Sequence, residues 1–208
     1  MKGLILKDFY ILFGLYSKNL FFVALLYAAI YLIGGMSFFL FMFIAMSAFY
    51  CLTTFTLDDA SGWNRYAKTL PVSTQQIIGG KWIVSLAFLA VSTGYTLFFG
   101  AIGSVVHQTS YMEVAAGTAA TLAITMLILS ILLPTTLKWG VDKARNSFLL
   151  LFAAVFGTIF LIGRYWAGPV PQLSISIPLL IGSALVLLLV IMAVSYQICC
   201  NIYTKKEF

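Results

Sequence analysis

The chain has 208 residues, 62% of them hydrophobic and 9% charged, with a mean hydropathy of +1.04. Soluble domains carry about 25% charged residues, so a water-soluble globular body is excluded and an integral membrane protein is indicated. The net charge of +6 would raise nucleic acid in a soluble protein. Here the basic residues lie in short loops between apolar runs, where membrane topology accounts for them, and no nucleic-acid partner is expected.

The first eighteen residues, "MKGLILKDFYILFGLYSK", place charges ahead of any long apolar run, unlike a cleaved signal, so the N-terminus reads as retained. Gly3, Lys7, Gly14 and Lys18 share one helical face and apolar residues cover most of the rest. This predicts an amphipathic helix over 1–18 lying in the inner interface, in preference to a plain extension of the first span. From Asn19 to Leu57 no charge occurs, about 58 Å of helix and roughly twice the hydrocarbon thickness. Gly34-Gly35 is the natural turn, giving spans over 20–33 and 36–57.

A third span is predicted over 82–106, a fourth over 114–137, a fifth over 147–163 and a sixth over 177–203. Pro169, Pro171 and Pro178 break the stretch before the last. The fold class is therefore all-α integral membrane, one domain of six transmembrane helices with the interfacial helix ahead of them and a short cytoplasmic helix between the second and third. Lys2, Lys7, Lys18, Arg65, Lys68, Lys81, Lys138, Lys143, Arg145, Lys205 and Lys206 fall on the side of the termini, and Arg164 alone on the other. The positive-inside rule makes both termini cytoplasmic. Ala115, Ala119 and Ala123, with Ser92, Gly94 and Gly100, are read as close-packing helix faces, whether against this chain or a second copy. Cys51, Cys199 and Cys200 read as packing residues with no disulfide framework.

No catalytic set emerges. "IIGGKW" lacks the first Gly and the Ser/Thr of a nucleotide loop. The single histidine, His107, reads as a solvated outer-loop residue, so no metal site is expected. No Asp, Glu or His falls within a predicted span, which disfavours an ion-coupled carrier. Phe39 and Phe43, with Ser47, are candidates for a substrate cavity in the second span, the alternative being lipid-facing packing. Glu113 and Arg164 bound neighbouring spans on the outer face, as an outer gate or as two interface anchors.

The longest polar island is "LDDASGWNRYAKTLPVSTQQ", Leu57–Gln76. Asp58, Asp59 or Ser61 can cap a helix start. Trp63 and Tyr66 are then i,i+3 neighbours on one face, with Arg65 and Lys68 on another. Pro71 ends the helix and pushes Leu70 to extended geometry, and Ser73 with Gln76 forms a capping box for the next. The aromatic face suits either protein docking or the bilayer interface.

Three features resemble the membrane subunits of type-2 ABC transporters, as found in bacterial ABC exporters. They are the start "MKGLILKDFYIL", the loop "DDASGWNRYAKTLPVSTQQIIGGKW" ending in a Lys-aromatic pair, and the six-span layout. The resemblance covers essentially the whole chain. It implies a permease of the bacterial cell membrane, paired with a second permease copy and a separate ATPase subunit that carries the ATP and Mg; no cofactor is expected in this chain. It makes the loop after the second span a coupling helix, with Asp58, Asp59, Trp63, Arg65, Tyr66, Lys68, Leu70 and Pro71 coupling the ATPase to the membrane domain. A family re-entrant segment would fall on Trp166–Pro178. Relatives of this size resemble exporters of amphipathic peptides, such as phenol-soluble modulins, or confer immunity to antimicrobial peptides. The alternative function is a non-transporting scaffold or sensor whose loop binds a regulator.

Overall fold

A computed structural model describes residues 2–141 and 177–205 and nine positions between 143 and 161. The predicted fifth span falls largely outside these residues, as do Arg164 and most of Trp166–Pro178. The described helices are α1 (Lys2–Leu15), α2 (Ser17–Gly34), α3 (Ser37–Ala60), α4 (Trp63–Thr69), α5 (Thr74–His107), α6 (Tyr111–Trp139) and α7 (Ile177–Lys205). Among them, five are long and apolar enough to cross a membrane: α2, α3, α5, α6 and most of α7.

Local sequence explains where these helices stop. The α2–α3 turn is made by Gly35 at φ 67°, whose N–H returns to the Tyr31 carbonyl at 2.8 Å. Helix α5 begins at a capping box in which Gln76 N donates to Ser73 Oγ at 3.3 Å and Ser73 N to Gln76 Oε1 at 3.2 Å. Its 34 residues reach about 51 Å, well beyond a hydrocarbon core of about 30 Å. The first two turns, ahead of the predicted start at 82, therefore extend past the apolar span.

Helices α3 and α5 form the centre of the bundle, with α6 against both, α7 against α6 and α5, and α1 and α2 on the opposite flank. One apolar cluster gathers the end of α3 (Phe55), α4 (Ala67), the start of α5 (Ile77, Trp82) and the ends of α6 (Leu137) and α7 (Tyr203), with Leu4 of α1 packed on it. The two ends of the chain and α4 thus share one face of the bundle, called here the terminal face. Phe21, Phe22 and Leu25 of α2 and Leu187, Leu189 and Val190 of α7 point outward. So much outward hydrocarbon needs lipid, not water, as its solvent.

The predicted contact faces hold in part. Ser92 and Gly100 of α5 are buried, whereas Ala119 and Gly94 are exposed, and α6 turns Val114, Thr118 and Thr125 inward. Close approach occurs where glycine faces a bulky partner: Gly100 receives Val114, Gly117 receives Phe41, and Gly103 receives Tyr31. Spacing alone marks small residues on every side of a helix, whereas packing selects those opposite a large side chain.

One hydroxyl repairs a backbone defect. Pro134 lies inside α6 and has no N–H for the Ser130 carbonyl one turn before it. Ser195 of α7, itself buried, donates to that carbonyl at 2.5 Å. Ser195→Ala is expected to destabilise the protein by about 1–2 kcal/mol by orphaning a buried carbonyl. Adding Pro134→Ala restores the missing donor, so the loss should shrink in the double variant. Thermal unfolding in detergent, followed by a thiol-reactive dye reporting on buried Cys51 and Cys199, checks the pair; equal losses in both backgrounds would refute the repair.

Candidate functional site beneath helix α4

The polar island folds as a short helix on a tight turn. Gly62, at φ 69°, is the N-cap of α4, and no side chain caps it, so the predicted capping by Asp58, Asp59 or Ser61 does not occur. Glycine's freedom at positive φ makes the turn and releases those side chains for other contacts. Asp59 accepts from Asn64 Nδ2 at 2.6 Å, and the Ser61 hydroxyl donates to the Asp58 carbonyl at 3.3 Å. At the other end Leu70 is extended, at φ −79° and ψ 149°, ahead of Pro71.

Trp63 and Tyr66 have ring centroids 5.5 Å apart but face different surroundings. Trp63 is half-buried and packs on the terminal-face cluster together with fully buried Ala67. Tyr66 is 56% exposed, and Arg65, Thr69 and Pro71 are exposed beside it. The Lys68 side chain lies outside the described positions. Helix α4 therefore grips its own chain through Trp63 and Ala67 and presents Arg65 and Tyr66 outward.

Beneath α4 lies a charge cluster that sequence reasoning missed. Asp58, 2% exposed, is buried near the end of α3, and Asp8 of α1 and Lys81 of α5 are buried with it. Lys7 Nζ lies 2.5 Å from Asp58 Oδ1 and 3.2 Å from Asp8 Oδ1. Lys81 Nζ lies 2.5 Å from Asp58 Oδ2 and 3.4 Å from Asp8 Oδ2. Each lysine bridges both aspartates, so the set is neutral. Lys7 Nζ also sits 4.2 Å from the centre of the Trp63 ring, and Lys81 Nζ 4.6 Å from that of Phe55, favourable cation–π placements.

Asp58 and Lys81 stand just outside the predicted spans over 36–57 and 82–106, and their burial is tolerated because opposite charges meet there and offset one another's desolvation. Helix α1 keeps Gly3 and Gly14 of its predicted polar face exposed but buries Asp8 and Leu12, and Leu6, Tyr10 and Phe13 are exposed as well. Lys7, assigned from sequence to the polar face, turns toward α3 because the Asp58 carboxylate lies there. A signal was present: Lys81 stands alone between "IIGG" and "WIVSLAF", and an isolated charge so placed calls for a partner. The "KDF", "DD" and "KW" elements that carried the family resemblance are the ones that converge.

The other candidate residues do not form one site. Phe43 is buried against Tyr95, ring centroids 4.5 Å apart, and Phe39 packs on Tyr27 at 5.9 Å. The Ser47 hydroxyl is used by the Ile44 carbonyl at 2.6 Å. A lateral cleft of about 400 Å³ between the α1–α2 bend and α5 is lined by Phe13, Leu20, Phe43, Phe88 and Ser92, among others; Phe43 is the one cavity candidate on its wall. Glu113 is exposed in the first turn of α6, and its suggested partner Arg164 lies outside the described residues. His107 is no solvated loop residue. It ends α5 with Nε2 3.0 Å from the Tyr31 carbonyl and its ring 5.9 Å from that of Tyr31. No group of side chains suited to a metal ion occurs among the described residues.

Outward hydrocarbon, inward charge and a short helix held against the terminal face define an all-α, multi-pass membrane protein. The chain belongs to the family described as ABC-2 family transporter protein, whose sequence model matches residues 3–204. It is thus a membrane permease component of an ABC transporter. Comparison with curated proteins and with solved structures finds no significant match.

Proposed function

We propose that this chain is the permease subunit of a bacterial ABC exporter, driven by a separate ATPase subunit that engages α4 on the cytoplasmic side. Two permeases and two ATPases form the working unit, embedded in lipid, and both chain termini lie in the cytoplasm. The cargo is amphipathic or hydrophobic and leaves outward, in keeping with acid-free apolar walls such as the cleft beside Phe43; cytolytic and antimicrobial peptides fit this chemistry.

The observation carrying this reading is the division of α4. Trp63 and Ala67 anchor it inward, while Arg65 and Tyr66 are offered outward. Trp, Tyr and Arg dominate the energetics of docking surfaces, and a helix so anchored passes a push received at Tyr66 to the bundle behind it.

The test is affinity purification of the tagged protein from membranes, followed by mass spectrometry of what accompanies it. An ABC ATPase in stoichiometric amount is expected. Trp63→Ala with Tyr66→Ala should bring the ATP hydrolysis of the complex down to the rate of the ATPase alone. Normal complex formation and turnover in that variant would overturn the coupling role. Absence of any ATPase would favour a scaffold that binds some other regulator.

A further inference from the structure

We infer that the Lys7–Asp8–Asp58–Lys81 cluster is the joint through which displacement of α4 reaches α1, α3 and α5 together, with the Lys7–Trp63 contact as its input. This rests on the proposed coupling role of α4. The geometry makes α4 a poor lever without such a joint. It has seven residues, follows a glycine turn and packs principally on α3. Its large inward side chain is Trp63, and the ring of Trp63 carries Lys7 Nζ at 4.2 Å. A shift of Trp63 is therefore felt by a residue of α1 as well as by α3, the helix that leads into α4.

From Lys7 the connection is electrostatic and closed. Two lysines and two aspartates make four contacts of 2.5–3.4 Å, joining residues 51 and 73 positions apart in sequence. An apolar contact carries no directional requirement, so one apolar neighbour can take the place of another. Buried ion pairs behave otherwise. Drawing one charge out leaves its partners uncompensated in a medium of low dielectric, so the three helices move as one body where they meet or not at all. Such clusters add little stability over apolar residues of equal size; what this one adds is a fixed relation among α1, α3 and α5.

The test uses the permease co-expressed with the ATPase that accompanies it. Lys7→Met with Asp8→Asn removes one charge of each sign and leaves the direct Asp58–Lys81 pair, detaching α1 while keeping α3 tied to α5. Three quantities are read: the ATPase recovered with the permease, ATP hydrolysis per bound ATPase, and melting reported by buried Cys51 and Cys199. The double variant is expected to melt within a few degrees of wild type and to recover the ATPase, but to lose at least fivefold in stimulated hydrolysis. Trp63→Leu should cause a loss of similar size, and combining all three substitutions should cost no more than either set, because both cut one path. Unchanged stimulation in a folded double variant, or losses that multiply, would overturn the inference. Should the double variant fail to fold, unchanged stimulation in Trp63→Leu overturns it equally. Failure of the wild-type permease to recover any ATPase instead overturns the coupling reading itself, a result visible before any variant is compared.

Discussion

Asp58→Ala is expected to leave little folded protein. The carboxylate is buried and sits 2.5 Å from both Lys7 Nζ and Lys81 Nζ. Its removal leaves two ammonium groups to share Asp8 in a space closed by Phe55, Trp63 and the start of α5. Breaking a buried pair by deleting one partner costs about 3–5 kcal/mol, a large part of the 5–15 kcal/mol that typically holds a protein folded. The yield of monodisperse protein and the midpoint of thermal unfolding in detergent both read this out. A contrasting variant isolates charge from shape. Lys7→Met, Asp8→Leu, Asp58→Leu and Lys81→Met together replace the whole cluster by apolar side chains of similar size. That protein is expected to match or exceed wild-type stability, since removing every partner also removes every desolvation cost. A melting point for Asp58→Ala equal to that of wild type would contradict the burial and pairing of this group.

Gly103→Ala is expected to be the most damaging single-methyl addition among the described glycines. A Cβ at this position would lie 2.1 Å from Tyr31 Cε1, 2.4 Å from Cζ and 2.7 Å from the hydroxyl oxygen. The near atoms belong to a rigid ring that is 1% exposed and is backed by the His107 imidazole. The ring has little room to yield, so α2 and α5 must separate at the end remote from α4. Overpacking of this kind costs about 1–3 kcal/mol. Gly103 has no positive φ, which leaves steric conflict as the whole cause. Tyr31→Val should therefore rescue Gly103→Ala, and a double-mutant cycle should show strong non-additivity. Additive losses would mean that the two residues do not meet as the structure places them.

These predictions divide by the kind of information each needs. The lipid-exposed class, the turn at Gly35, the extended Leu70 before Pro71 and the Ser73–Gln76 capping box are legible because each follows from composition or from residues within one turn of one another. The stagger of Trp63 and Tyr66 on a short helix is legible for the same reason. Which of the two faces inward is not, because burial depends on Lys7 and on a cluster that includes Leu137 and Tyr203, dozens of residues away. The same holds for Asp58. Its neighbours in sequence offer it as a cap, and Gly62 takes that place because a backbone at positive φ turns more tightly.

Elsewhere, helical spacing placed Lys7 on a polar face and Ala119 on a packing face. Spacing gives positions around a helix axis but not the direction in which the protein lies. In a membrane that direction is harder to read than in water, because lipid accepts the apolar side of α1 while the protein interior receives Lys7 and Asp8. Local chemistry thus sets the class, the helices and their ends. The meeting of Lys7, Asp8, Asp58 and Lys81, the seat of Tyr31 on Gly103 and the repair of Pro134 by Ser195 arise when helices distant in sequence pack. Each is a pairing of partners, and a partner 50 or more residues away leaves no periodic trace near the residue that needs it.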